Sequence, residues 1–230
     1  MGSGTSSFSL FELFRMGGVF MWPLLLFSVA TIGIVFERII FVLYHNLFLD
    51  DLKEAVLSYI RKNDMEGARD YLYSLDQRRI GARILLALVS KSQLSEHQME
   101  KAAEAEATSC INSLEDGFNF LTALGSLSPL TGFLGTVSGM IGAFKSIAEA
   151  TDVNAQIVAN GIYEALITTV FGLIIAIIAM SAHSLLSHVV DKFTADVEKT
   201  CTDLIMEIVL AKDRRSKTAQ SPFISLGEYS

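Results

Sequence analysis

Charge is scarce in this 230-residue chain: 19% of its residues are Asp, Glu, Lys or Arg, against 51% hydrophobic. It vanishes altogether from Met16 to Phe36, Gly117 to Phe144 and Ala165 to Val190. Each of these runs exceeds the ~20 apolar residues that cross a bilayer core. Helices of soluble proteins bury one apolar stripe and keep a polar face, so three unbroken runs exclude most soluble enzyme folds. The runs do not alternate apolar and polar residues, which excludes an outer-membrane β-barrel. The two cysteines, Cys110 and Cys201, have no second ligand pair beside them, so neither a disulfide framework nor a zinc site is indicated. The net charge is −7 with no basic stripe, which argues against a nucleic-acid partner. With only three prolines, long helices meet few breakers.

What remains is an all-α integral membrane protein with three transmembrane helices and long cytoplasmic helical extensions. Residues 45–116 and the tail after Val190 together carry fifteen Lys and Arg, whereas the connection from Lys145 to Asn160 holds one and the N-terminal segment only Arg15. The positive-inside rule places the long loop and the tail in the cytoplasm and the N-terminus outside. The expected segments are an outer N-terminal stretch (1–15) with a short interfacial helix over Phe8 to Arg15, a first span (16–44), a helical cytoplasmic loop (45–116), a second span (117–147), an outer loop (148–157), a third span (158–190) and a cytoplasmic extension with a tail (191–230). Glu37-Arg38 ends the first span by charge pairing or by snorkelling to the inner headgroups. In the loop, Leu49, Leu52, Val56 and Ile60 recur at helical spacing, as do Ala68, Tyr71, Leu72 and Leu75, and Arg83 to Lys91 reads as another short helix. Ser95 with Gln98 three residues later marks a helix start. That helix is predicted to run unbroken into the second span, and the third span to continue well past Val190.

Projected at 100° per residue, the third span gathers Gly161, Ala165, Thr168, Thr169, Gly172, Ala176, Ala179 and His183 on one face, and Ile167, Phe171, Ile174 and Ile178 on the other. The second span likewise sets Gly125, Ser128, Pro129, Gly132, Thr136, Gly139 and Ala143 against Leu130, Leu134, Val137 and Ile141, and both bulky faces are expected to meet lipid. Small faces let helix backbones approach closely, and a threonine within one can bond across the contact or lend an oxygen to an ion's path. Glu164 lies about two turns into the third span, where a carboxylate costs roughly 2.5–3.5 kcal/mol unless hydrated or paired; a hydrated outer vestibule satisfies it most simply, and an ordinary interfacial carboxylate is the alternative. His183, toward the inner end, is either a satisfied interface histidine or a proton relay. No Asp, Lys or Arg lies deep in any span, so a central titratable group would come from another chain.

These residues resemble a family. Gly132-Phe-Leu-Gly135-Thr136-Val-Ser-Gly139-Met140 is similar to the Gly-Leu-x-Gly-Thr-Val-x-Gly motif of the MotA/TolQ/ExbB proton-channel family, and Gly161-Ile-Tyr-Glu164-Ala165-Leu-Ile-Thr168-Thr169-Val-Phe-Gly172-Leu173 to its Gly-Ile-x-Glu-Ala-Leu-x-x-Thr-x-x-Gly-Leu motif. Met21-Trp22-Pro23-Leu24-Leu25 and Glu37-Arg38 resemble its first-span signature. Three spans match the ExbB and TolQ branches; MotA-type members have four. The resemblance implies a multi-pass subunit of the bacterial inner membrane. It would form a homopentamer around two copies of a single-span ExbD- or TolR-like partner whose aspartate carries the proton, and would act on a TonB- or TolA-like protein. It assigns Thr136, Glu164 and Thr169 to the ion pathway, while the small faces offer Gly132, Gly135, Gly139, Ala165, Gly172 and Ala176 as surfaces for partner-helix packing. It implies no cofactor beyond the coupling ion. Two departures stand out: Ala176-Ile177-Ile178 where ExbB-type members have Ala-Ile-Pro, and Thr168 where they commonly have Ala. The adjacent hydroxyls of Thr168 and Thr169 offer extra oxygen ligands, so sodium stands beside the proton as the coupling ion. A passive scaffold that moves no ion is the rival from another class. A solute transporter would need an internal repeat that is missing here, and an enzyme would need a nucleophile with a base or a ligand set, which no segment assembles.

Overall fold

The computed structural model describes residues 14, 17–45, 47–75, 79–149 and 155–220. Among them every regular element is a helix: α1 (Met21–Tyr44), α2 (Asp50–Arg61), α3 (Met65–Ser74), α4 (Ile80–Ser90), α5 (Glu96–Glu115), α6 (Phe118–Glu149) and α7 (Ala155–Gln220). Among the described residues three stretches are long and apolar enough to cross a bilayer, within Met21–Tyr44, Glu96–Glu149 and Val158–Lys217. The chain divides into two compact units, residues 1–38 with 117–186 and residues 39–116 with 187–230. The expected interfacial helix at Phe8 to Arg15 lies outside the described residues, Phe14 excepted.

The first unit holds the start of α1, all of α6 and the first half of α7. Lipid offers no hydrogen bonds, so hydroxyls in these helices need partners within the chain. In α6 five find them one turn back: Thr122, Ser126, Ser128, Thr131 and Ser146 each donate to the carbonyl four residues earlier, at 2.6–3.2 Å, whereas the buried Thr31 hydroxyl of α1 has no partner among the described residues. Pro129 sits inside α6, where it removes one ladder bond without ending the helix. Met21 and Leu24 of α1 pack with Ile167 and Ile175 of α7, joined by Phe14, Phe27 and Phe171. This corrects the reading of the third span's bulky face: Ile167 and Phe171 are covered by α1, and only Ile174 and Ile178 stay exposed. The second span's Leu130, Leu134, Val137 and Ile141 are exposed, as their spacing predicts. At the other end of the unit, Arg38 is buried with its Nε 2.7 Å from Glu37 Oε2.

Gly117 produces the second correction. Its φ of +85° is left-handed, a conformation that suits glycine and stops an α-helix. The helix starting at Ser95 therefore ends at Glu115, and α6 begins at Phe118 instead of continuing it. The start itself is a capping box, with the Ser95 N–H donating to Gln98 Oε1 at 3.3 Å. By contrast α7 is one element of 66 residues, since no Gly or Pro interrupts its second half.

The second unit is built as a water-soluble protein is. Leu52, Val56 and Ile60 of α2, Ala68 and Leu72 of α3, and Ile84, Leu85 and Leu88 of α4 are buried at helical spacing. Along α7 the apolar pattern narrows at Val190 to a stripe of Val190, Phe193, Val197, Leu204 and Ile208, all buried, which is the amphipathic signature of a helix facing water. Lys53 binds Asp203 at 2.6 Å, Lys212 donates to the Leu94 carbonyl at 2.7 Å and Arg215 to the Asn63 carbonyl at 2.9 Å, tying α7 to the loop helices. Arg79 bonds Asp51 at 2.8 Å and lowers that carboxyl's pKa. Burial raises the Cys110 pKa, and pushes Cys201 to about 11. At pH 8 only about one Cys201 in a thousand is thiolate, the form that reacts. Both cysteines should therefore alkylate with iodoacetamide at least roughly tenfold more slowly in the native protein than in denaturant, as mass spectrometry of timed quenches would read. Equal rates would contradict their burial.

Candidate functional site in the membrane-spanning helices

The small faces of α6 and α7 meet each other within one chain. A Cβ on Gly132 would stand 2.8 Å from the Thr168 carbonyl oxygen, and one on Gly172 would stand 2.5 Å from that of Ser128. Gly139 faces Ala165 and the Gly161 carbonyl, each at 3.1 Å from its would-be Cβ. Gly135 is filled by the Thr168 side chain. The residues expected to pack a partner helix are thus occupied by the chain's own helices: Gly132, Gly135, Ala165, Gly172 and Ala176 are buried and Gly139 half-buried.

That approach gives the Gly132 carbonyl oxygen three hydroxyl neighbours. Thr136 donates to it at 3.2 Å, Thr169 at 3.2 Å and Thr168 at 3.3 Å. Thr136 and Thr169 also share a hydrogen bond of 2.8 Å between their Oγ1 atoms. A hydroxyl has one proton to give and two lone pairs. The pair can therefore run from Thr136 through Thr169 to the Gly132 carbonyl, or from Thr169 through Thr136 to the same oxygen, and the two terminal bonds have equal length. Such a pair reverses its polarity by two hydroxyl rotations. Thr168 behaves differently: it is 1% exposed and its shorter bond, 2.8 Å, goes to the Ala165 carbonyl three residues back. Two adjacent hydroxyls in the sequence thus separate into one whose shorter bond stays within its own helix and one whose bonds all lie across the contact.

Glu164, half-buried, lines a cavity of ~300 Å³ together with Gly17, Phe20, Ser138, Gly142 and Ser146. Gly18 stands over the carboxylate: its φ is +66°, and a Cβ there would collide with Glu164 Oε1. The cavity lining was missed in the sequence, although Ser138, Gly142 and Ser146 recur every four residues along one face of α6. His183 is not brought to this site. It lies fourteen residues beyond Thr169, about 21 Å along the helix, with its ring edge-on to Phe118 at a centroid distance of 5.7 Å. Among the described residues no three His, Cys, Asp or Glu gather to hold a metal ion.

Residues 76–199 match the MotA/TolQ/ExbB proton channel family. The chain is 30% identical over 194 residues to the biopolymer transport protein exbB1 of Vibrio cholerae, covering 84% of this chain and 85% of that protein. It is 32% identical over 197 residues to the ExbB-like 1 biopolymer transport protein of Synechocystis, covering 81% and 75%. Over a shorter stretch of 86 residues it is 43% identical to the Tol-Pal system protein TolQ of Haemophilus influenzae, covering 37% and 38%.

If the close approach holds this site together, Gly132→Ala and Gly172→Ala should each cost about 1–3 kcal/mol, because backbone and not a flexible side chain must yield. Gly33, with nothing within 4 Å of its would-be Cβ, is the control; Gly33→Ala should be neutral or stabilising. Thermal unfolding of the three variants in detergent, followed by circular dichroism, distinguishes them. Equal melting temperatures would contradict the packing.

Proposed function

The chain belongs to the MotA/TolQ/ExbB proton channel family, on its ExbB/TolQ side, and from that premise we propose that it is the ring-forming, ion-gradient-driven subunit of an inner-membrane energy transducer. Five copies, N-terminus outside and C-terminus in the cytoplasm, surround two helices of an ExbD- or TolR-like partner. Protons from the outer side gather in the cavity beside Glu164 and neutralise a carboxylate on the partner helix, which can then move past the dry face of the pore. The hydroxyl pair of Thr136 and Thr169 takes up the proton from that carboxyl as it releases one of its own to water on the inner side, and two hydroxyl rotations reset the pair after each transfer. Each neutralisation favours a rotated position of the partner, and a TonB- or TolA-like protein transmits the resulting force to the envelope.

The observation that carries this reading is the Thr136–Thr169 pair with its two equal routes to the Gly132 carbonyl, set in spans that hold no Asp, Lys or Arg at depth. It favours the proton over sodium. Sodium needs several oxygens held at once, and the Thr168 hydroxyl, the one that would complete such a set, makes its shorter bond to its own helix. His183 remains a proposed inner-end relay, with Phe118 as its neighbour.

Thr169→Val keeps the shape of the side chain and removes the hydroxyl. It should leave the complex purifying at wild-type yield while reducing the energised envelope function at least tenfold in cells that depend on this chain. Thr169→Ser should retain most of that function. Full activity of Thr169→Val would exclude the hydroxyl pair from the pathway and favour a scaffold whose small faces serve packing alone.

A further inference from the structure

The second unit carries two surfaces that the reading above does not use. One is a groove of ~530 Å³ between α5 and the late part of α7, floored by Met206, Val209 and Leu210 and rimmed by Glu96, Glu100, Glu104 and Glu198. Met206 is 61% exposed and Leu210 46%, and both lie more than fifteen residues beyond the last apolar run. The other is a cleft of ~490 Å³ where Arg61, Arg214 and Arg215 surround the single carboxylate of Glu207. Arg61 and Arg214 stand 3.9 and 3.7 Å from Glu207, so the cleft holds a net charge of +2 from these four side chains.

We propose that the glutamate-rimmed groove of one copy receives the arginine cleft of a second copy, joining neighbours head to tail through Glu96 and Glu100 on one side and Arg61 and Arg214 on the other. The inference rests on the ring assembly proposed above and names the surfaces that close it. Three observations select a second copy as the occupant. The charges are opposite and belong to the same chain. The two surfaces lie at one level, since Lys212, between Glu207 and Arg214, donates to the carbonyl of Leu94, two residues before Glu96. They also lie on opposite faces: at 100° per residue, the centres of the groove's and the cleft's residues on α7 are roughly 150° apart. A closed ring needs two different complementary patches on opposing sides of each subunit, whereas a two-fold contact through the groove would set glutamate against glutamate. Apolar floor and charged rim together are the make-up of a specific protein interface.

The charge swap tests this on the full chain, purified in detergent and sized by light scattering. Arg61→Glu/Arg214→Glu and Glu96→Lys/Glu100→Lys should each move most of the protein from the ring to smaller species, and the four substitutions together should restore the ring. A ring indifferent to Glu96→Lys/Glu100→Lys overturns the interface while leaving the ion-driven reading intact. Loss of a co-purified partner from an unchanged ring overturns it too, and gives the groove to that partner. A wild-type chain that forms no ring overturns both readings. Because Arg61→Glu/Arg214→Glu also removes the cations around Glu207, a second variant keeps native charges elsewhere: Glu100→Cys/Arg214→Cys, treated with a short bismaleimide, should give a ladder of linked copies. The absence of any linked species would overturn the contact.

Discussion

Two helix backbones pressed together at Gly132, Gly135, Gly139, Gly161 and Gly172 are the constraint on which the membrane part of this protein depends. Lipid gives helices little hydrophobic reason to associate, so contact must come from packing and from polar groups satisfied between them. Glycine at these positions lets a carbonyl of one helix enter hydrogen-bond range of hydroxyls on the other. Once Gly132 is that close, the Thr136 and Thr169 hydroxyls meet, and the carbonyl terminates whichever way their proton points. The stability of the packing and the polarity of the site are thus one arrangement. A larger residue at Gly132 would separate the helices and the hydroxyls together.

The same economy shows in α7, a single element that serves two environments. Its early part offers small residues to α6 and covered bulky ones to α1, while its late part narrows to one buried stripe within a water-facing bundle. The change comes at Val190 and Asp191 with no turn, because no breaker is present. Gly117 plays the contrary role. Its left-handed backbone, set against Arg38 at 3.2 Å from its would-be Cβ, separates α5 from α6 where a simple scan for helix formers expects continuity.

Much of this was legible in the sequence, for a physical reason. Apolar length fixes the number of spans, and periodicity at Leu52, Val56 and Ile60 fixes the buried side of α2, because both depend on local spacing alone. The small faces at Gly132, Thr136 and Thr169 were legible as faces. Which surface each would meet was not, since a stripe of glycine looks alike whether it receives its own neighbour or another chain. For the same reason Ile167 and Phe171 read as lipid-facing until α1 is seen to cover them. The separation of Thr168 from Thr169 was hidden too: it arises from the Ala165 carbonyl and the crowding at Gly135, which are matters of tertiary distance. The cavity beside Glu164 needed Gly17 and Gly18, some 145 residues away in the chain, to close it.

Everything proposed for the site turns on whether a proton crosses where Thr136 and Thr169 share their bond. Proton flux into liposomes holding the ring with its ExbD- or TolR-like partner, driven by an imposed pH gradient in sodium-free buffer and read with an entrapped pH dye, measures this directly. Flux that requires the partner and needs no sodium is the expected result. Liposomes that stay tight with the intact complex present, or that leak protons only when sodium is added, would contradict it.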